Sequence, residues 1–229
     1  MFASIAGRYD LLNHLLSLNI DKSWRTFTIK KLAPTAGQRI LDVCTGTGDL
    51  ALGFAARVPK VEVIGLDFCP EMLEVARQKN AKATAKVLQF GDGDATQLPV
   101  ESNAFDIVTC AFGLRNVSDT ERGIDEMIRV AKVGGKVGIL EFSKPRVPIL
   151  RWCYLAYFKY LLPRIGQQVS GNDHGAYEYL PASVLAFPDG PVMVELLTSR
   201  GLRDVVAYPL TLGIATLYVG SKSTPKERR

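Results

Sequence analysis

ILDVCTGTGDLA, at residues 40–51, is the stretch that decides the fold of this 229-residue chain. Its first four residues predict a buried strand, its glycines predict a tight turn, and the residues after the turn predict the start of a helix. Gly46 and Gly48 let the backbone approach a ligand closely, and unpaired N–H groups at the helix start favour an anionic group. The stretch therefore predicts a strand, turn and helix that bind a small molecule.

Acidic residues follow the next two predicted strands. Asp67 closes the run VIGLD and lies 19 residues after Gly48, close to the ~20 residues typical of an acid that binds ribose hydroxyls. After the third strand, the sequence FGDGDA at residues 90–95 offers Asp94 and a backbone amide to the N6 and N1 atoms of adenine. Together with the glycine turn, these acids predict a nucleoside site.

The glycine turn by itself leaves the ligand open. Gly46, Gly48 and Ala51 also fit a dinucleotide fingerprint, so an NAD(P)-dependent oxidoreductase is one alternative, and a non-catalytic nucleoside sensor is another. A dehydrogenase usually begins with its glycine strand, whereas residues 1–38 precede it here. This feature favours an S-adenosylmethionine-dependent methyltransferase.

Apolar runs alternate with helical patterns from Arg39 onward, which predicts an α/β fold. We expect a Rossmann-like class I methyltransferase fold, with a mostly parallel sheet and helices on both faces. Strands are predicted at Arg39–Val43, Val61–Leu66, Ala85–Phe90, Phe105–Ala111 and Lys136–Glu141, and helices at Pro70–Asn80 and at Thr120–Val130, the latter leading into Gly134 and Gly135.

One domain is predicted over residues 1–220, followed by a polar basic tail at 221–229. Within the domain we expect a helical segment at 1–38, a cofactor-binding core at 39–145, an aromatic and basic insertion at 146–190, and a last helix with returning strands at 191–220.

Composition and charge narrow the function classes. Apolar residues make up 47% and charged residues 22%, as in ordinary globular proteins, and the net charge is +5. The basic excess lies in residues 144–172 and 222–229, so a general nucleic-acid-binding surface is excluded and a local anionic partner or membrane is favoured. Four cysteines without C-x-x-C spacing and two histidines predict neither a metal site nor a disulfide framework.

The start of the chain lacks the pattern of a signal peptide, which predicts a cytoplasmic setting. The longest apolar stretch, Val147–Leu162, is interrupted by Arg151 and Lys159. It is too short for the ~20 uninterrupted residues of a membrane-spanning helix.

Several longer motifs occur in order along the chain: YDLLN at 9–13, FGLRNV at 112–117, RVAKVGG at 129–135, LEFSKP at 140–145, LPRIG at 162–166 and YEYLP at 177–181. In these motifs the chain resembles the ubiquinone/menaquinone biosynthesis C-methyltransferases over roughly residues 1–220. It departs from that family at Asp21, where a histidine usually stands three residues before the tryptophan, and at Thr45 and Val133.

The resemblance implies S-adenosyl-L-methionine as cofactor and a polyprenylated aromatic quinol as acceptor, most simply demethylmenaquinol, with another small aromatic acceptor as the alternative. It implies that Arg115 stabilises the developing phenolate and Asn116 orients the hydroxyl, with Tyr177 and His174 as further catalytic candidates. The residues expected to bind the cofactor are Asp42, Thr45, Gly46, Gly48, Asp67, Phe68, Met72, Asp94 and Ala95.

Residues 145–166 combine many large apolar or aromatic side chains with four cations and no acid. This composition is typical of an interfacial helix, which would accept a prenyl tail from the cytoplasmic face of an anionic membrane. The same composition suits a helix buried against the sheet or against a second copy in a homodimer.

Overall fold

The computed structural model describes residues 19–87, 89–145 and 182–224. Its described strands form one sheet in the order β3-β2-β1-β4-β5-β7-β6, in which β7 alone runs antiparallel to its neighbours. The strands are β1 Arg39–Val43, β2 Glu62–Asp67, β3 Gln89–Asp92, β4 Phe105–Ala111, β5 Ala131–Phe142, β6 Leu202–Leu210 and β7 Ala215–Lys222. The helices are α1 Ile20–Leu32, α2 Asp49–Arg57, α3 Pro70–Lys82, α4 Thr120–Val130 and α5 Pro191–Ser199.

Helices cover both faces of the sheet, as the alternating pattern predicted. Ile40 on β1 packs in a cluster with residues of α1, α2 and α3, such as Leu32, Phe54 and Leu73. The next residue, Leu41, belongs to a second cluster with residues of α4 and α5. Because successive side chains of a strand point to opposite faces, a continuous apolar run such as β1 supplies both layers of the core.

The strand order reverses beside β1. The chain passes from β1 outward to β2 and β3, and then returns to β4 on the other side of β1. In an open α/β sheet such a reversal leaves a crevice at the carboxyl ends of the two central strands. The loops after β1 and β4 therefore meet at this edge.

The helix–strand boundary after α4 differs from the prediction. Helix α4 ends at Val130, as predicted, but β5 begins at Ala131, directly after it, and not at Lys136 beyond the two glycines Gly134 and Gly135. The pairing with β4 shifts between Phe105 and Ile107, and the two glycines lie at this irregularity. A Cβ atom on Gly135 would lie 2.8 Å from the carbonyl oxygen of Lys132, so the bulged backbone, rather than a helix end, explains a glycine there.

The end of the last strand also differs from the prediction. β7 continues to Lys222, two residues beyond the predicted domain end, and this lysine is buried. Its ammonium donates hydrogen bonds to Asn103 Oδ1 at 2.7 Å and to the carbonyl oxygen of Ala131 at 2.8 Å. The first residues of the predicted tail therefore belong to the sheet, while the division of the chain into segments otherwise stays a prediction.

Three predicted segments fall partly outside the described residues: positions 1–18 of the N-terminal segment, positions 146–181 of the insertion, with the aromatic and basic stretch, and positions 225–229 of the tail. The N-terminal segment contributes α1 as expected. Among the helices of the described residues, none has the length and apolar character that crossing a bilayer requires.

Candidate active site

A cavity of about 340 Å³ opens at the carboxyl ends of β1, β2 and β4. It brings together eight of the nine residues predicted to bind a cofactor, together with Asn116. The ninth, Gly48, is not part of the lining. The eight are Asp42, Thr45, Gly46, Asp67, Phe68, Met72, Asp94 and Ala95.

Asp42 lies at the base of the cavity and is almost fully buried. Its carboxylate accepts hydrogen bonds from Thr45 Oγ1 and Thr109 Oγ1, both at 2.7 Å. Burial raises the pKa of Asp42 from 3.8 to about 6, against the lowering effect of the two hydroxyl groups. A cation bound beside this carboxylate would favour its ionised form.

The two glycines of the turn have different roles. Gly46 has a φ of +56° and donates its N–H to Asp67 Oδ2 at 2.7 Å, at the cavity wall. Gly48, with a φ of +82°, is packed so closely that a Cβ atom would lie 2.7 Å from the ring of Phe90. The lack of a side chain at Gly48 thus serves the packing of α2 on β3, and the expectation that Gly48 also lets a ligand approach stays a prediction.

Asp67 ends β2, as predicted, and its carboxylate is fixed by the backbone. Besides the bond from Gly46, it accepts one from the N–H of Cys69 at 2.9 Å. Burial raises the pKa of Asp67, and these backbone donors act against the rise. Each carboxylate oxygen keeps acceptor capacity beyond its backbone bond, so the group can also accept two adjacent hydroxyls.

The outer wall of the cavity carries an exposed aromatic ring. Phe68 is 80% exposed, whereas Met72 behind it is buried. Across the cavity, Asp94 accepts hydrogen bonds from the N–H and the hydroxyl of Thr96, both at 2.8 Å, which hold the pKa of Asp94 below its usual range. Apolar side chains with a carboxylate opposite suit a flat heterocycle that carries an amino group.

Phe112 begins the loop after β4 and is buried in an aromatic cluster. Its ring centre lies 5.9 Å from that of Trp24 on α1 and 4.7 Å from that of Phe142 on β5. The guanidinium carbon of Arg25 lies 5.4 Å from the same ring centre. Phe112 has a φ of +59°. This unusual conformation is maintained by packing from α1 and β5.

Arg115 and Asn116 follow on a short 3₁₀ turn, Leu114–Asn116, and point to different surroundings. The Arg115 side chain is 6% exposed and pairs with Glu141, which is 1% exposed, through an N–O distance of 3.1 Å. It also donates to the carbonyl oxygen of Phe112. Arg115 is not among the cavity-lining residues, so the expectation that it contacts the substrate phenolate directly is not met.

Asn116, in contrast, lines the cavity. Its side-chain Oδ1 is buried, and no hydrogen-bond partner for it occurs in the part of the chain that the structure describes. Buried acceptors are normally paired, so this oxygen is a candidate acceptor for a ligand that donates a hydrogen bond. The other two catalytic candidates, His174 and Tyr177, lie outside the described residues.

Sequence reasoning missed Arg25, which lines the cavity from α1. It forms an ion pair with Asp21, one helical turn earlier. The i,i+4 spacing of these two charges was visible in the sequence, but nothing there indicated that α1 reaches the cavity.

The charges of the lining fit S-adenosylmethionine better than a dinucleotide. The described lining contains four carboxylates and one cation, Arg25. S-adenosylmethionine carries a sulfonium, an ammonium and a carboxylate, whereas a dinucleotide carries an anionic pyrophosphate. A mostly negative wall therefore attracts the first ligand and repels the second.

The whole chain matches a known family. The model of the ubiE/COQ5 methyltransferase family matches residues 1–222. The chain belongs to the ubiE/COQ5 methyltransferase family. It is 47% identical over 222 residues to a demethylmenaquinone methyltransferase from Deinococcus radiodurans, with 97% of this chain and 91% of that protein covered.

Other members of the ubiE/COQ5 family give the same result. The chain is 46% identical to a ubiquinone/menaquinone biosynthesis C-methyltransferase UbiE from Geobacter sp. strain M21, with 97% of this chain and 94% of that protein covered. It is 44% identical to a demethylmenaquinone methyltransferase from Thermus thermophilus, with 97% and 100% covered. The predicted methyltransferase family is confirmed, and the oxidoreductase alternative finds no support.

Solved structures with low sequence identity share the fold. One is a SAM-dependent methyltransferase from Aquifex aeolicus, with a TM-score of 0.60, 20% identity, and 86% of this chain and 88% of that chain covered. Another is phosphoethanolamine N-methyltransferase 2 from Haemonchus contortus in complex with S-adenosyl-L-methionine, with a TM-score of 0.65, 16% identity, and 88% and 53% covered. The predicted class I fold is thereby confirmed. Membership of the methyltransferase family supports the predicted cofactor, S-adenosylmethionine.

Proposed function

We propose that this protein methylates a ring carbon of a polyprenylated quinol and converts demethylmenaquinol to menaquinol. The observation that carries the proposal is the position of Asn116 Oδ1, a buried acceptor in the same cavity as the acidic groups of the cofactor site. The names of the relatives from Deinococcus and Thermus support a naphthoquinol acceptor over a benzoquinol.

The cofactor residues have distinct roles in this proposal. Asp67 binds the two ribose hydroxyls, because both of its oxygens are held at the cavity wall by backbone donors. Phe68 and Met72 enclose the adenine, while Asp94 accepts from its amino group and the amide of Ala95 donates to its ring. Asp42 provides negative charge beneath the sulfonium.

When bound, S-adenosylmethionine would supply an electrophilic methyl group to a nucleophilic ring carbon of the acceptor. The new C–C bond would form as the S–CH3 bond breaks, S-adenosylhomocysteine would be released, and the proton of the ring carbon would pass to water. Asn116 orients the acceptor by accepting a hydrogen bond from the hydroxyl beside that carbon. Arg115 is a positioning residue: its bonds to Glu141 and to the carbonyl of Phe112 fix the loop that carries Asn116. The ring must be reduced, since a quinone ring is too electron-poor to attack the methyl group.

The test uses purified protein, methyl-labelled S-adenosylmethionine and a short-tailed demethylmenaquinone, supplied with borohydride or kept oxidised. We expect labelled menaquinol only in the reduced sample, and slower labelling of a matched benzoquinol. Equal rates with the oxidised ring would contradict the mechanism, and no product from either quinol would contradict the function.

We further propose that the protein associates peripherally with an anionic membrane through residues 145–166, whose composition supports this contact. Replacing Arg151, Lys159 and Arg164 with Gln should weaken binding to phosphatidylglycerol vesicles by about 3 kcal/mol, at roughly 1 kcal/mol for each cation. High salt should mask the loss. A lower melting temperature with unchanged vesicle sedimentation would instead indicate a buried segment or a dimer contact.

A further inference from the structure

The cavity is unevenly charged in a way that the reaction alone does not require. Among its described lining residues, carboxylates occur at Asp42, Asp49, Asp67 and Asp94, and a cation occurs at Arg25. Such a wall attracts positive groups over most of its length and accepts a negative group beside the cation.

Arg25 is held in place from two sides. Asp21, which is buried, accepts a hydrogen bond from one terminal nitrogen of the guanidinium. The other terminal nitrogen lies 4.0 Å from Asp49 Oδ2, beyond hydrogen-bond distance, and the ring of Phe112 lies beneath the group. The Arg25 side chain donates one hydrogen bond within residues 19–87, 89–145 and 182–224, and Asp21 accepts it. Other N–H groups of the guanidinium therefore remain for a ligand.

We propose that Arg25 binds the α-carboxylate of the methionyl end of S-adenosylmethionine. The proposal rests on the function proposed above and adds a binding residue to it. The planar guanidinium matches a carboxylate with two parallel N–H donors, and the pair formed with Asp21 fixes the plane of the group. Asp49, which lies beside it and also pairs with Lys79 at 2.6 Å, places a carboxylate near the α-ammonium, so adjacent opposite charges face a zwitterion.

Two ligands that differ only at the amino-acid end isolate this contact. S-adenosylhomocysteine carries the carboxylate, whereas 5′-methylthioadenosine has the same nucleoside and thioether without it. By calorimetry, Arg25→Gln should weaken binding of S-adenosylhomocysteine by about tenfold or more and binding of 5′-methylthioadenosine by less than about twofold. Lys22→Gln is the matched control, because it removes an exposed cation from the same helix outside the cavity lining, and it should change neither affinity.

A second variant keeps the test decisive if Arg25→Gln does not fold. Arg25→Lys retains the charge and the pairing with Asp21 but loses the planar fork, and it should weaken binding of S-adenosylhomocysteine alone, by about threefold. Equal weakening of both ligands, or no weakening of either, would overturn the proposal. Failure of both ligands to bind the unmodified protein would contradict the proposed function instead.

Discussion

The loops after β1 and β4 leave neighbouring strands at the same edge of the sheet, yet they use their polar groups differently. In the first loop, Thr45, Gly46 and Thr47 all line the cavity. In the second, Asn116 lines the cavity, while the charge of Arg115 is buried against Glu141. The first loop presents its groups to a ligand, and the second uses its strongest group to hold its own shape.

The difference shows that a residue in a family motif need not touch the ligand. Arg115 and Asn116 are adjacent in the sequence, but the 3₁₀ turn directs one to the interior and the other to the cavity. The loops also touch each other: a Cβ atom on Gly113 would lie 2.4 Å from the Cβ atom of Cys44. A rigid second loop therefore helps to position the first, and four changes test this division of roles.

The largest effect is expected from Glu141→Ala. Removing one partner of a buried ion pair leaves the guanidinium of Arg115 without its counter-charge, which typically costs 3–5 kcal/mol, so we expect about that loss in the free energy of unfolding. Urea titration of both proteins measures it. A loss below about 1 kcal/mol would show that the second loop does not depend on this pair.

Asp42 should make stability depend on pH. Its raised folded pKa, about 6 against 3.8, means that the native state retains the proton that the unfolded chain has lost. The stabilisation is complete below about pH 4 and is lost as the pH rises through 6, a change of about 3 kcal/mol. Four other residues also affect the pKa of this carboxyl group, and all four remain in Asp42→Asn: Thr45, Thr109, Arg25 and Asp67.

The measurement is the difference in unfolding free energy between the unmodified protein and Asp42→Asn from pH 4 to pH 7. This difference should decrease as the pH rises from 4 through about 6, and it should be constant above the pKa of Asp42. A difference that stays constant throughout would mean that Asp42 is not titrating in the folded state near pH 6.

Asp67→Ala tests the ligand site that the first loop helps to form, because the Asp67 carboxylate at the end of β2 accepts a hydrogen bond from the N–H of Gly46 in that loop. It removes charge-assisted hydrogen bonds, each worth about 1.5–3 kcal/mol, and should weaken S-adenosylmethionine binding at least about tenfold. Asp92→Ala is the matched control, because Asp92 is the β3 residue paired with Asp67 and lies outside the cavity lining. Calorimetry that gives the same affinity for both variants would remove Asp67 from the site.

The smallest effect on stability is expected from Asn116→Ala. Because Oδ1 has no partner among the described residues, its loss should change the free energy of unfolding by less than about 1 kcal/mol. Turnover of the reduced acceptor should still fall about tenfold, with the affinity for S-adenosylmethionine unchanged. Unaltered turnover would leave the second loop without a residue that contacts the acceptor.

Much of this arrangement was predictable because local patterns determine it. The bounds of β1, β4 and α4 agree with the sequence prediction, since each is a clear apolar or amphipathic run. Asp67 and the loop after β4 could be placed because parallel strands bring their carboxyl ends together. The sequence was less informative about β3, which is short and begins four residues after the predicted start.

The remaining features depend on contacts between distant residues. The partner of Arg115 lies 26 residues away on β5, and no local spacing connects the two. The place of Arg25 in the cavity depends on the packing of α1 against the loop after β4, and the role of Gly48 depends on the ring of Phe90. Sequence patterns indicate which groups are available, but the packing of helices on the sheet decides which of them face one another.

The packing of Trp24 gives the molecule an intrinsic optical probe. The chain has two tryptophans, Trp24 and Trp152, and the indole of Trp24 is 4% exposed, in contact with Phe112, and hydrogen-bonded through Nε1 to Thr211 at 2.8 Å. Phe112 is itself part of the cavity wall. In a Trp152→Phe background, the emission of the single remaining indole would report movements of the loop after β4 in real time, without an attached dye.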